Sequence, residues 1–249
     1  MDKRMILKRI GAYIIDFSII TIIVMGLSNS KINPNLQKYN QYYDNYSSEY
    51  EEYVGFSTEL KDIDKDNKIT SESYEKIASS YPSYGKFIDE SLIDKDLKDK
   101  DIENISEKVN NEFTEKYKHS LYNIEKYSLF YNSLTIIVTI LYCGVFPLFT
   151  DGQTLGKKIF KIRIVKTDNN NAKFINYFLR TIILYDVIFL LINIVLVNVL
   201  KYNTFYIANY VLSLLKSFVR WSIIIMILTR KDNTGLHDLI AKTKVIEVK

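Results

Sequence analysis

A single cysteine, Cys143, occurs among 249 residues, which excludes an intrachain disulfide and any cysteine-based metal cluster. It sits inside an apolar run, where a small buried hydrophobe is the expected role. The groups that hydrolytic or transfer chemistry needs are also missing. No nucleophile motif, no paired catalytic acids and no metal-ligand spacing accompany His237-Asp238, and an enzyme is not expected. Gly156-Lys157 has neither the glycine spacing nor the following Ser or Thr of a phosphate loop, so a Walker site is rejected. A cleaved signal peptide is not expected either. Lys3, Arg4, Lys8 and Arg9 do precede an apolar stretch, but Asp16 stands in its middle and no small-x-small site follows.

What the chain does have is apolar length. Ile10–Leu27, Leu129–Phe149, Phe174–Leu200 and Thr204–Thr229 each come near or exceed the roughly 20 residues that span a bilayer core of about 30 Å. The mean hydropathy of −0.05 averages these runs with a very polar insert. The expected fold is an all-α membrane protein with four transmembrane helices, a helical extracytoplasmic insert and a short cytoplasmic β-pair. Its segments are 1–28 (N-terminus and first span), 29–126 (the acidic, Tyr-rich insert), 127–149 (second span), 150–173 (a basic segment), 174–229 (third and fourth spans) and 230–249 (tail).

Charge sets the expected orientation. Residues 1–9 carry four Lys or Arg, residues 150–173 six and residues 230–249 five, and short basic flanks stay in the cytoplasm. Both termini are therefore placed inside a cell membrane and the insert outside. The insert holds fourteen Lys against twenty-one Asp and Glu, a net of −7.

Within the insert, Asn33-Pro34 reads as a helix start and Gly55 as a C-cap. Between them Tyr39, Tyr42, Tyr43, Tyr46, Tyr50 and Tyr53 fall on one helical face. A ligand platform is one reading of this stripe; the buried face of a small helical domain is the better one. A second stripe, Ile102, Ile105, Val109, Phe113, Tyr117, Leu121 and Ile124, runs on toward the second span. Asp62-Ile63-Asp64-Lys65-Asp66-Asn67-Lys68-Ile69-Thr70 resembles the start of an EF-hand calcium loop. Asp62, Asp64, Asp66, Lys68 and Thr70 stand at the ligand or loop positions and Asn67 at the turn, while Ser73 replaces the bidentate acid at position twelve. Weak calcium binding and a solvated acidic loop both remain open; no other cofactor is expected.

Ionisable residues inside the spans cost at least a few kcal/mol at the membrane centre and are functional candidates by default. At 1.5 Å per helical residue, Asp16 and Arg180 lie about 10 Å in, Arg220 about 14 Å, and Asp186 and Lys216 about 18–20 Å. These levels pair Asp16 with Arg180 or Arg220, and Asp186 with Lys216. Arg9 leans away from Asp16, because helical side chains point toward the N-terminus. For Asp16 an ion or proton pathway and a fixed ion pair stand equal; for Asp186 and Lys216 the structural pair is favoured. His237-Asp238 reads either as a proton relay at the inner mouth or as a capped turn after the fourth span. Lys157 and Lys158 are expected to hold the membrane surface. Ile162–Lys166 and Thr243–Val248 are short and β-prone, and are expected to pair.

Three stretches, Lys8–Asp16, Asp151–Lys158 and Gly235–Asp238, together resemble the RDD family of small bacterial multi-pass membrane proteins. Arg9 and Asp16 fall on its N-terminal arginine and mid-helix aspartate, and Asp238 on its second aspartate. Thr154-Leu155-Gly156-Lys157-Lys158 followed by Ile162–Val165 matches its loop after the second span. The resemblance leaves out the insert, about 95 residues beyond any ordinary connection. It implies a transport-related membrane protein, some members of the family being thought to move cations against protons. The partners expected are the lipid bilayer, monovalent cations or protons, and further copies of the chain, with no nucleic acid. The alternative is a non-transporting membrane anchor or accessory subunit whose insert binds a partner.

Overall fold

The computed structural model describes residues 3–66 and 68–248, with the backbone alone at 64 and 65. The chain is an all-α membrane protein with one small sheet, and it divides into two compact units. One is Gln37–Glu125; the other combines Met1–Leu36 with Lys126–Lys249.

The membrane unit opens with α1 (Lys3–Ser28), which is long and apolar enough to span a bilayer. Leu129–Phe149 is a second such segment. It begins as α6 (Leu129–Thr139), widens into a π turn over Ile140–Val145 and ends as a tight turn over Phe146–Phe149, where Pro147 cannot continue the ladder. The third apolar run departs from the expected single helix. It forms α8 (Phe174–Leu184) and α9 (Val187–Val199), bent by 65° at Tyr185-Asp186, which together suffice for one further span. The break contains neither Pro nor Gly. Asp186 takes a left-handed backbone, φ 58°, a conformation that Asp accepts more readily than most residues. α10 (Tyr202–Thr229) is the last long apolar helix, and Asn193 on α9 donates to Asn209 on α10 at 3.1 Å.

Short elements close this unit. α7 (Leu155–Ile159) leads into β1 (Ile162–Lys166), and α11 (Leu236–Ala241) leads into β2 (Thr243–Glu247). The strands pair antiparallel, Ile164 opposite Val245, as their β-propensity and unsatisfied backbone groups lead one to expect.

The insert is a helical domain with its own core. α2 (Leu36–Asp66) starts two residues after Pro34 and runs straight through Gly55, so Gly55 is not a C-cap. A side chain there would collide with the ring of Tyr81, which explains the glycine by close approach. α3 (Ser71–Ser80), α4 (Pro82–Gly85) and α5 (Asp99–Tyr127) complete the domain. Phe56, Ile69, Ile77, Tyr84, Ile105 and Val109 form the centre. Part of the tyrosine stripe serves packing: Tyr53 stacks on Phe113 at 4.0 Å between ring centres and Tyr46 meets Tyr117 at 5.7 Å, while Tyr43 and Tyr50 are about half exposed.

The calcium-loop reading fails on geometry. Residues 62–66 are the last turns of α2, whereas an EF-hand needs an open loop there. Thr70 is the N-cap of α3, its hydroxyl accepting from the Ser73 N–H while the Ser73 hydroxyl accepts from the Thr70 N–H. Lys68 and Ile69 form isolated bridges to Asp96 and Ile93. Asn67 and the side chain of Asp64 lie outside the described residues. Among the described residues no group of His, Cys, Asp and Glu is arranged to hold a metal ion.

Candidate functional site

Three carboxylates organise the interior of the membrane unit. Asp16, on α1, is completely buried. Its Oδ1 accepts from the Tyr142 hydroxyl and the Gly156 N–H, each at 2.9 Å. Its Oδ2 accepts from the Thr154 hydroxyl at 2.5 Å and the Lys157 ammonium at 3.1 Å, and Lys157 also donates to Thr154. The expected pairing with Arg180 or Arg220 is thus replaced by Lys157, and Lys157 is buried rather than spread on a membrane surface. α7 can approach α1 so closely because residue 156 is glycine: a Cβ there would strike the Ala12 carbonyl and stand 2.8 Å from Asp16 Oδ1.

Asp238, also completely buried, joins α1, α8 and α11. Arg9 donates to its Oδ2 at 2.5 Å and Arg180 pairs with its Oδ1. The Gly235 N–H reaches Oδ2 at 3.1 Å, so Asp238 also caps the first turn of α11. Arg9 further donates to the carbonyl of Asn233, and Asn176 on α8 donates to the carbonyl of Ala241 on α11 at 2.9 Å. His237 is buried beside Asp238, its Nε2 3.4 Å from Arg9 and from the carboxylate. Burial, then the charges of Arg180, Arg9 and Lys157, push the His237 pKa well below its ordinary value. Burial thus disfavours the charged form of His237.

Asp186 stands at the break between α8 and α9. Arg220 on α10 donates Nε–H to its Oδ2 at 2.7 Å with a second bond from the same guanidinium, and Lys216 lies 3.9 Å away. Lys216, expected as the partner, is therefore the outer of two cations. Oδ1 of Asp186 is buried and has no hydrogen-bond partner among the described residues.

The residues that the pattern of charges did not reveal are Tyr142, Thr154 and Lys157. Thr154 and Lys157 carry a usable signal in their i, i+3 spacing within the basic segment, which puts both on one side of a turn. Tyr142 carries none, being one tyrosine in an apolar run.

A membrane unit of this kind, with short helices clasped onto spanning ones by buried ion pairs, defines a small multi-pass membrane protein. Residues 117–242 match the RDD family, and the chain belongs to that family. It is 32% identical over 109 residues to the uncharacterized protein YckC of Bacillus subtilis (strain 168), an alignment covering 44% of this chain and 56% of that protein. The chain thus spans little more than half the length of the curated relative it matches. No solved structure matches it. Arg9 and Asp16 precede the family segment, yet their contacts with Asp238, Thr154, Gly156 and Lys157 make α1 part of the same unit.

Proposed function

We propose that the protein is a transport-related membrane protein that couples monovalent cation movement to protons, with Asp186 as its coupling carboxylate. The observation that carries this reading is the broken span. Asp186 sits at a 65° bend, held on one oxygen by Arg220 and, among the described residues, without a partner on the other. Discontinuous helices are where transporters build their ion sites. Asp16 supports the reading less well, because Tyr142, Thr154, Gly156 and Lys157 already occupy both of its oxygens. The Lys and Arg distribution supports a cytoplasmic position for the termini and residues 150–173 and an outside position for the insert. Cysteine introduced by Ser48→Cys then reacts with an impermeant maleimide in intact cells, and one introduced by Asn170→Cys does not; the reverse labelling overturns the orientation.

The test of transport is reconstitution into liposomes with a pH-sensitive dye under several salt gradients. Wild type is expected to move protons on addition of a sodium or potassium salt, and Asp186→Asn to abolish that flux while remaining folded. Equal flux per folded molecule in wild type and Asp186→Asn contradicts the assignment. The separate core of the insert supports a second reading, an anchor or accessory subunit whose insert binds a partner. A folded wild type without salt-driven flux favours it.

A further inference from the structure

A cavity of about 480 Å³ lies in the membrane unit, and its walls are of two kinds. Arg9, Lys157, Arg180 and Arg220 supply cationic groups, and no lining residue is acidic. Phe17 on α1 and Ile224 on α10 supply apolar wall, and both are about half exposed on the outer faces of spanning helices. The surrounding charge does not balance. Asp238 takes Arg9 and Arg180, Asp16 takes Lys157, and Asp186 takes Arg220 with Lys216, so three carboxylates meet five cations. Arg180 and His237, each at least nine-tenths buried and both lining the cavity, have ring or guanidinium nitrogens, Nε and Nδ1, without a partner among the described residues.

An excess of cations in a region of low dielectric is relieved by an anion. A cation is the wrong ligand for these walls. A small soluble anion would satisfy the arginines but leave the apolar wall uncovered. We infer that the cavity binds an anionic phospholipid, its phosphate against the lining guanidinium groups and an acyl chain along Phe17 and Ile224. Basic pockets between spanning helices recognise lipid headgroups by this combination of charge and apolar wall. The inference does not rest on transport, since a lipid can hold α1 beside α10 in a protein that moves nothing.

The test uses the full chain purified in a neutral detergent, its thermal unfolding followed while phosphatidylglycerol, phosphatidylcholine or inorganic phosphate is added. Phosphatidylglycerol should raise the melting temperature saturably, while phosphatidylcholine and inorganic phosphate leave it near its starting value. Arg220→Gln should weaken half-saturation by roughly five- to tenfold, as loss of one cation near a phosphate does. Ile224→Trp, which fills the apolar wall and leaves every charge in place, should weaken it as well. Equal responses to the two lipids, or half-saturation unchanged in both variants, overturn the site. A response to inorganic phosphate as strong as that to phosphatidylglycerol overturns the lipid as its occupant.

Discussion

In the unit of residues 37–125 the least exposed side chains are Phe56, Ile69, Ile77, Tyr84 and Val109; in the membrane unit they include Asp16, Asp238 and His237. The surfaces differ in the opposite sense. α10 shows Ile207, Phe218 and Trp221 on its outside, each more than 60% exposed, whereas the exposed side of the insert carries ion pairs such as Lys76–Glu59. Water explains the first arrangement, since each large aliphatic side chain buried there contributes about 1.5–3 kcal/mol. Lipid explains the second. Hydrocarbon outside removes the advantage of hiding apolar groups, and helix association then depends on packing and on polar contacts inside. One chain therefore needs two rules of stability.

The largest effect that would break this comparison is at Asp238. Asp238→Ala leaves the guanidinium groups of Arg9 and Arg180 buried without their carboxylate, a loss of about 3–5 kcal/mol. Thermal unfolding in detergent should show a large drop or no folded protein; a change within a few tenths of a kcal/mol would mean that the pair holds nothing together. The matching substitution in the insert, Ile77→Ala, is expected to cost about 2–5 kcal/mol through a cavity. Hydrogen exchange should localise its effect to residues 37–125, and equal loss of protection at α1 and α8 would contradict the division into two units. Gly156→Ala comes next, at about 1–3 kcal/mol, because its methyl group has backbone and not a flexible side chain in front of it.

A smaller effect follows from pH. The folded pKa of His237 is depressed, so the unfolded chain binds its proton first as pH falls. The contribution is fully present above about pH 6.5 and is lost below it, by up to about 1.4 kcal/mol per pH unit until the folded pKa is reached. The melting temperature should fall from pH 6.5 toward 5, and His237→Gln should flatten that slope. An unchanged slope in the variant assigns the pH dependence elsewhere.

Much of the insert could be read in advance because its two stripes, Tyr39–Tyr53 and Ile102–Ile124, follow the helical period that burial in water imposes. The β1–β2 pair was legible for a related reason, since short β-prone segments need a partner. The break in the third span was not, for hydropathy measures apolar length and Asp186 looks the same in a straight helix as at a bend. The partner of Asp16 was misjudged because depth along a span says nothing about elements folded back from outside it. α7 and α11 bring Lys157 and Asp238 to α1 from segments that composition reads as surface. Thr154 and Lys157 belonged to the motif from the start, but only the structure shows that they close on Asp16.

The account turns on the membrane unit being held by specific buried ion pairs, and a double-mutant cycle at Asp16 and Lys157 measures that directly. Asp16→Asn, Lys157→Met and the double variant are compared by unfolding of the full chain in detergent. Each single change strands a buried charged partner, and the double change removes both charges together. The expected result is a double variant destabilised by clearly less than the sum of the singles, with a coupling of about 1–3 kcal/mol. Additive losses would show that Asp16 and Lys157 contribute independently, and would contradict the ion-pair account of this interior.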